Sequence, residues 1–403
     1  MPRVPSAVVT FAAVMVGVLL PVAAGAQDAV SRTALIEEAE RVKSENLRPA
    51  EPGKAEAYVE RLSDAFLSGN LHWHAFWTNA YSGGGFTLGA GYLQHVSSYN
   101  LIDVRGSWTP SGYKRFESQF FAPELFGRRG TLSVLGGWRE ATEVNFYGIG
   151  AASHEEHLVN YGFTQPYLAA TVELFPARNP FVVRGDVEVS QWNQGPGSGS
   201  APSVETVYTP ATLPGLGASP VYVHTRATAG FDSRPARGYT RRGGFYGVTA
   251  HDYTDRDKAF GFNQIDYDAI QHIPILRETW VIALRAYAQT TYTKNGQQVP
   301  FFMMPSFSGG SDLRAYSSWR LRDRNSLLLQ GEWRASVNRF LEMALFYDAG
   351  TVAPRQQDLS LKGMKSDYGI GFRFHGPIST PLRIELARGN EGVVLNFSAS
   401  QVF

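Results

Sequence analysis

The chain has 403 residues, among them 25 Phe, 19 Tyr, 8 Trp and 41 Gly, and only 18% of its residues are charged. Its 37 basic and 36 acidic side chains nearly cancel, which argues against nucleic acid as a partner. The absence of cysteine excludes disulfide scaffolds, thiolate zinc sites and cysteine nucleophiles. The aromatic and glycine content favours an all-β chain over a helical one.

Residues 1–26 have the features of a signal peptide. Arg3 supplies a thin positive start, an apolar run covers residues 8–24, and Ala-Gly-Ala at 24–26 is a cleavage site before Gln27. The run is short for a transmembrane helix and is interrupted by Pro21. We therefore expect an exported protein whose mature form begins at Gln27.

Residues 27–70 differ from everything that follows. Residues 34–40 favour helix, and Val59, Leu62 and Phe66 share one face at helical spacing. This pattern predicts a short periplasmic helical lead. Docking on the following domain is the commoner use of such a face, but the lead could also lie on the membrane surface, plug the barrel or recruit a periplasmic accessory protein.

From residue 71 onward, apolar side chains alternate with small or polar ones. The alternation predicts sixteen strands: 71–81, 85–95, 98–108, 112–124, 130–142, 158–174, 180–192, 220–231, 242–254, 260–272, 278–292, 323–336, 340–350, 366–375, 381–389 and 392–403.

The connections between these runs alternate in length. Long ones, 143–157, 193–219, 293–322 and 351–365, follow odd-numbered runs, whereas most others are short. Long loops on one side and short turns on the other are typical of an up-and-down outer-membrane barrel. The predicted fold is therefore all-β, with residues 71–403 forming a 16-stranded antiparallel transmembrane β-barrel in the Gram-negative outer membrane.

The last strand illustrates the two faces of such a barrel. Val393, Leu395, Phe397 and Phe403 share an apolar face that suits lipid, and the opposite face is mostly polar. A terminal Phe on such a strand also matches the C-terminal signal of barrel insertion. We therefore predict that Phe397 and Phe403 belong to an insertion signal.

Three motifs mark the last quarter of the chain. Residues 309–316 read Gly-Gly-Ser-Asp-Leu-Arg-Ala-Tyr, residues 331–334 read Gly-Glu-Trp-Arg, and residues 346–350 read Phe-Tyr-Asp-Ala-Gly. The first resembles the Gly-Gly-x-x-Val-Arg-Gly-Phe/Tyr lid motif of the BamA/TamA family, the bacterial surface antigen superfamily. The third is similar to that family's F-x-D-x-G motif in the thirteenth strand, and the second to its twelfth strand.

The resemblance implies which residues form the site. The lid-loop residues would be Gly309, Gly310, Leu313, Arg314, Ala315 and Tyr316, and the strand residues would be Phe346, Asp348 and Gly350. Leu313 and Ala315 depart from the motif's valine and glycine. Residues 27–70 leave no room for the family's polypeptide-transport-associated (POTRA) domains, so a short member lacking them is expected.

The residue chemistry gives the lid motif a role. By strand parity, Glu332 and Asp348 both face the lumen from adjacent strands. An arginine presents five donors in a rigid fork and can bridge two carboxylates. Arg314 is therefore predicted to clasp Glu332 and Asp348 and to hold the loop inside the barrel. The alternative is a solvated loop arginine, which spacing alone would favour.

The predicted function follows from the fold and the resemblance. The resemblance implies insertion or translocation of outer-membrane or surface proteins or lipids, with an opening between runs 71–81 and 392–403. The alternative is a passive channel gated by the infolded loop. An enzyme is the least favoured class, because no Gly-x-Ser-x-Gly occurs and residues 154–157 lack His-Glu-x-x-His spacing. The expected partners are the lipid bilayer and client polypeptides or lipids, with no cofactor.

Overall fold

The computed structural model describes residues 41–42, 72–175, 180–276, 278–307, 309–376, 379–398 and 402–403. The predicted signal peptide lies outside these residues, as does the helical lead apart from Arg41 and Val42, which are helical and exposed. None of the helices in these ranges is long and apolar enough to span a membrane.

The described residues between 72 and 398 form one seventeen-stranded sheet. The strands are β1 Trp73–Ala75, β2 Leu88–His95, β3 Leu101–Trp108, β4 Lys114–Leu125, β5 Gly130–Phe146, β6 Val159–Leu174, β7 Phe181–Gln191, β8 Asn193–Pro196, β9 Val221–Asp232, β10 Gly243–Asp255, β11 Phe262–Ile275, β12 Trp280–Thr293, β13 Asn325–Ser336, β14 Leu341–Ala353, β15 Lys365–Phe374, β16 Leu382–Gly389 and β17 Gly392–Ser398. In the described connections there are four short 3-10 helices, at Glu155–His157, Val204–Thr206, Phe301–Met303 and Gln356–Asp358.

The strand order is an antiparallel meander with one addition. Each strand pairs with the next along the chain, except that β7 pairs with β9 and the short β8 pairs with β6. β8 continues the line of β7 after an interruption at Trp192. The predicted sixteen strands are therefore corrected to seventeen, because β8 lies in the predicted connection 193–219, where it extends the line of β7 beyond Trp192.

The sheet carries its apolar side chains outside and its charges inside. On β17, Val393, Leu395 and Phe397 are 59%, 55% and 66% exposed. On β16, by contrast, Arg383 and Glu385 are buried. In water this arrangement would be costly, but a membrane-spanning sheet requires it, because lipid covers the outer face.

The first strand is much shorter than predicted. β1 ends at Ala75, and the carbonyls of Thr78, Asn79 and Ala80 accept hydrogen bonds from side chains rather than from a neighbouring strand. The donors are Ser107 on β3, Arg115 on β4 and Arg139 on β5, at 2.8, 3.0 and 3.4 Å. Residues 76–80 therefore turn over the inner face of the sheet, and the predicted strand 71–81 is corrected to three residues.

The two edges of the meander are β1 and β17. The registered ladder of β17 is with β16, over Arg383–Gly389 and Gly392–Ser398. β1 pairs with β2 through Trp73, His74 and Ala75. Among the described residues, no registered ladder joins β17 to β1.

Candidate functional site: the lid loop and its ion-pair network

The connection between β12 and β13, residues 294–324, is called the lid loop. It folds against the inner face of the sheet, where Leu313, Ala315 and Tyr316 are 0%, 2% and 3% exposed. They belong to one apolar cluster with Leu328 of β13 and Phe346 of β14. The loop is thus fixed by burial as well as by charge.

Arg314 occupies the centre of the site and is fully buried. Its Nε and one terminal nitrogen donate to the two carboxylate oxygens of Asp348 at 2.6 and 2.8 Å. The other terminal nitrogen donates to Glu332 at 2.7 Å and to Glu385 at 2.9 Å. The structure thus brings together the predicted arginine and both predicted carboxylates, and adds a third from β16. Such a forked pair is stronger and more directional than a single ammonium contact.

The Phe-x-Asp-x-Gly spacing of β14 has a physical reason. Residues two apart on a strand share a face, so Phe346, Asp348 and Gly350 all occupy positions on the inner face. The guanidinium of Arg314 lies over the Phe346 ring, 3.6 Å from its centroid. A Cβ at Gly350 would lie 3.2 Å from Leu313 and 2.9 Å from Phe307. The three positions therefore provide a stacking surface, a charge partner and space for the loop.

The start of the lid motif requires glycine at two positions. Gly309 and Gly310 have φ values of 67° and 59°, in the left-handed region that favours glycine. A Cβ at Gly309 would also lie 3.0 Å from the backbone nitrogen of Ser318. These two residues allow the tight turn that brings Arg314 to its partners.

Ala315, one of the two positions that depart from the family motif, is accommodated by its neighbours. The backbone N–H of Ala315 donates to Asp367 at 3.1 Å, and a Cβ at Gly389 would lie 3.1 Å from the Ala315 Cβ. The hydroxyl of Tyr316 donates to the carbonyl of Ser366 at 3.2 Å. The methyl group of Ala315 therefore fits because the facing residue on β16 is a glycine.

The acids around Arg314 are shared with other buried arginines. Glu332 also contacts Arg373 and Arg334, each at 2.6 Å, and Glu385 contacts Arg383 at 3.1 Å. All of these side chains are at most 1% exposed. Buried charges are tolerated only when they are paired and hydrogen-bonded, so the cluster depends on every member. We call this set, with Arg314 and Asp348, the ion-pair network.

The charge state of Arg314 follows from this environment. Burial alone would lower the pKa of its guanidinium, because desolvation disfavours the charged form. The carboxylates of Asp348 and Glu332 reverse this and hold the pKa of Arg314 well above its usual range. The lid loop therefore presents a permanent cation to the barrel wall.

The far half of the lid loop contacts the opposite part of the sheet. Trp319 donates to the carbonyl of Ser82 at 2.8 Å and stacks on Tyr81 at 4.4 Å. Arg320 pairs with Glu391 at 2.9 Å, and Arg322 donates to the Tyr161 hydroxyl at 3.2 Å. The loop thus contacts the segment after β1, strand β6 and the β16–β17 turn as well as strands β13, β14 and β16.

Three supporting residues escaped the sequence analysis. Glu385 is the third carboxylate, Asn396 of β17 donates to the Arg314 carbonyl at 2.8 Å, and Gln330 donates to the Ser311 carbonyl at 2.9 Å. Each lies on the inner face of its strand, and the alternation of inward and outward residues along the strand already indicated this. Nothing in the spacing indicated that these side chains would meet the lid loop.

The two residues of the predicted insertion signal lie in different environments. Phe397 is on the outer face and is 66% exposed. Phe403 is only 9% exposed, packs in a cluster with Ile270 and Ala283, and lies under the guanidinium of Arg334 at 5.4 Å. The expectation that Phe403 shares the lipid face is therefore corrected, because it finds an apolar and cation–π contact on the inner wall.

No three His, Asp or Glu side chains converge as a metal-ligand set in the ranges that the structure describes. The cluster at residues 154–157 lies in a connection next to β6, with the His154 and His157 rings 5.6 Å apart. Inner-face carboxylates such as Glu117, Asp186 and Glu332 are instead paired with arginines.

Comparisons with known proteins agree with the β-barrel fold. Residues 232–403 match the model of the Omp85 superfamily domain. The fold is similar to BamA from Haemophilus ducreyi lacking POTRA domains 1–3, with 14% identity, a TM-score of 0.61, and coverage of 79% of this chain and 68% of that one.

Two further solved structures are more distant. The siderophore receptor PirA from Pseudomonas aeruginosa has 9% identity, a TM-score of 0.35 and coverage of 78% of this chain and 56% of that one. Wzi from Escherichia coli, a carbohydrate-binding β-barrel of capsule assembly, has 11% identity, a TM-score of 0.34 and coverage of 91% and 89%. A search of the curated proteins finds no significant match.

The family match and the BamA-like fold confirm the resemblance to BamA/TamA barrels that the motifs indicated. All three motifs lie inside the matched region. The protein is an outer-membrane β-barrel with a BamA-like fold, and its residues 232–403 match the Omp85 superfamily domain.

Proposed function

We propose that the barrel inserts or translocates outer-membrane or surface polypeptides or lipids at the seam between β17 and β1. The observation that carries the proposal is the weakness of this seam. β1 contributes three residues, its continuation turns inward, and β17 has its registered ladder with β16. An edge with unpaired backbone groups is a template for another strand, and a client strand could pair there.

The lid loop has a supporting role in this proposal. Asn396, on β17, donates to the carbonyl of Arg314, so the seam strand is attached to the lid loop. Arg314 is in turn held by β13, β14 and β16. We infer that the clasp sets the position of β17 and therefore the width of the seam.

Two further roles belong to the same proposal. The helical lead, residues 27–70, would recruit a periplasmic accessory protein. Phe397 and Phe403 would form the insertion signal, although they face different environments. Deleting Phe403 should lower the amount of barrel in the outer membrane. If the amount is unchanged, Phe403 is not part of the insertion signal.

A disulfide across the seam tests the proposed function. The natural chain has no cysteine, so a pair introduced between residues 73–75 and 393–397 gives a clean cross-link. Gene deletion followed by outer-membrane proteomics identifies the clients, and variants are scored by how well they restore them. The locked seam should fail to restore client levels until a reductant is added.

The matched control is a pair at Leu386 and Leu395, which are registered partners on β16 and β17. Cross-linking this already paired position should leave activity intact. If the barrel with the cross-linked seam is fully active, the seam between β17 and β1 does not need to open, and the proposed function is contradicted. A steady, ion-selective conductance in bilayers, unchanged by the lock, would instead support the passive channel.

A further inference from the structure

The turn between β9 and β10, residues 233–242, is called the β9–β10 segment. It lies at the opposite end of the strands from the lid loop, because successive connections alternate between the two ends of an antiparallel meander. Thr240 is 1% exposed. Arg241 donates to the carbonyl of Glu278 at 2.7 Å and to the carboxylate of Glu342, on β14, at 2.6 Å. The segment therefore reaches from the β11–β12 turn to β14.

A second set of contacts fixes the segment to the β15–β16 turn. The ring of Tyr239 stacks on His375 with centroids 4.0 Å apart, and its hydroxyl is 3.1 Å from His375 Nε2. Thr380 donates to the carbonyl of Gly238 at 3.3 Å. These contacts place the segment beneath β14, β15 and β16, the strands that hold the lid loop from the other end.

The ion-pair network continues to the β9–β10 segment by two routes. In the first, Arg373 lies 2.6 Å from Glu332 and 3.6 Å from Glu342, which Arg241 binds. In the second, Arg334 pairs with Glu332 and donates to the carbonyl of Thr240 at 3.5 Å.

Both routes start at Glu332, which binds Arg314 of the lid loop. Glu332, Glu342, Arg334 and Arg373 are each at most 1% exposed on their side chains.

We propose that the lid loop and the β9–β10 segment are energetically coupled through this network. Arg373 is shared by Glu332, Glu342 and Glu385. If Arg241 is removed, Glu342 loses its nearest cation and draws Arg373 away from Glu332. Arg373 and Arg314 donate to the same oxygen of Glu332, so the shift of Arg373 removes a donor that positions this carboxylate for Arg314, and the lid loop is held less firmly. Coupling of this kind is reciprocal.

The coupling would let a displacement of the β9–β10 segment at one end of the barrel change the stability of the lid loop at the other end. A partner or client that displaces the β9–β10 segment would loosen the lid loop without touching it. The inference does not depend on the proposed function, since it concerns loop stability and applies equally to an assembly barrel and to a channel.

Thiol labelling in the intact barrel tests the coupling. Ser311→Cys places a reporter in the lid loop, and Thr240→Cys places one in the β9–β10 segment. Arg241→Ala should speed labelling at position 311 on the order of fivefold or more, and Arg314→Ala should do the same at position 240. Glu342→Gln removes the charge that draws Arg373 away, so combined with Arg241→Ala it should return labelling at position 311 toward the natural rate.

Arg242→Ala is the matched control, because Arg242 adjoins Arg241 but is 65% exposed and pairs with Glu278, itself 41% exposed, at 3.5 Å. It should leave labelling at position 311 unchanged. The proposal is overturned if Arg241→Ala exposes position 240 while position 311 keeps its original labelling rate, or if adding Glu342→Gln leaves position 311 labelled as fast as in Arg241→Ala alone. Heat-modifiable migration on detergent gels confirms that each variant retains the barrel.

Discussion

Two walls of the barrel use the same kind of ion pair for different purposes. On the β7–β9 wall, Arg226 binds both oxygens of Asp186 at 3.0 and 2.8 Å. On the β13–β16 wall, Arg314 binds Asp348 with the same forked geometry. The Arg226 side chain is 36% exposed, whereas that of Arg314 is fully buried.

The difference lies in where the arginine comes from. Asp186 and Arg226 are direct partners on adjacent strands, so their pair joins residues that the backbone ladder already holds together. Arg314 belongs to a loop and reaches three strands at once. An ion pair within a sheet therefore adds little order, whereas one between loop and sheet determines where the loop lies.

The largest effect is expected for Arg314→Ala. Removing one side of a buried charge pair costs on the order of 3–5 kcal/mol, because the remaining charges keep their desolvation cost. Protease cleavage within 294–324 should rise strongly while heat-modifiable migration of the barrel persists. Arg314→Lys should restore protection only in part, because an ammonium cannot reproduce the fork.

Arg256→Ala is the control for that experiment, because Arg256 is also a loop arginine but its side chain is 66% exposed. Its removal should leave cleavage of the lid loop unchanged. If Arg314→Ala behaves like this control, the two walls do not differ in the way described above.

A smaller effect is expected for Gly350→Ala, which tests the apolar part of the contact. The new methyl group would lie 2.9 Å from Phe307 and 3.2 Å from Leu313. Overpacking of this kind typically costs about 1–3 kcal/mol, so the lid loop should be cleaved faster than in the natural protein. Gly331→Ala on the neighbouring strand is the control, because its methyl group meets its nearest neighbour at an ordinary 3.6 Å. Equal cleavage of the two variants would show that Gly350 makes no room for the loop.

The smallest effect is expected for Arg226→Ala. Its pair with Asp186 is partly exposed to water, where such pairs contribute about 0–1 kcal/mol. Lid-loop cleavage should be unchanged, and the unfolding midpoint of the barrel should shift only slightly. Loop release by Arg226→Ala would mean that both walls hold the loop.

Strand parity and three motifs predicted most of the site but not all of it. Parity assigned Glu332 and Asp348 to one face, and the lid motif identified the loop arginine. Glu385 also alternates with outward apolar residues, but which loop meets it depends on how the sheet curves. The short β1 had no local signal, because Arg115 and Arg139 supply the donors that turn its continuation inward.

The burial of Phe403 illustrates the same limit. Alternation along 392–403 predicted an outward side chain, but the residue packs on β11 and β12, which lie far from it in sequence. Local pattern describes a regular strand well. It cannot indicate where a chain end finds a better contact elsewhere in the fold.

The central claim, that Arg314 holds the lid loop through Asp348, is tested most directly by a double-mutant cycle. Arg314→Ala, Asp348→Ala and the double variant are compared by the protease cleavage rate within 294–324, converted to a free energy of loop opening. Because both single variants remove the same contact, the double variant should cost little more than either, with a coupling energy of about 2–3 kcal/mol. Additivity of the two single effects within about 0.5 kcal/mol would contradict the claim.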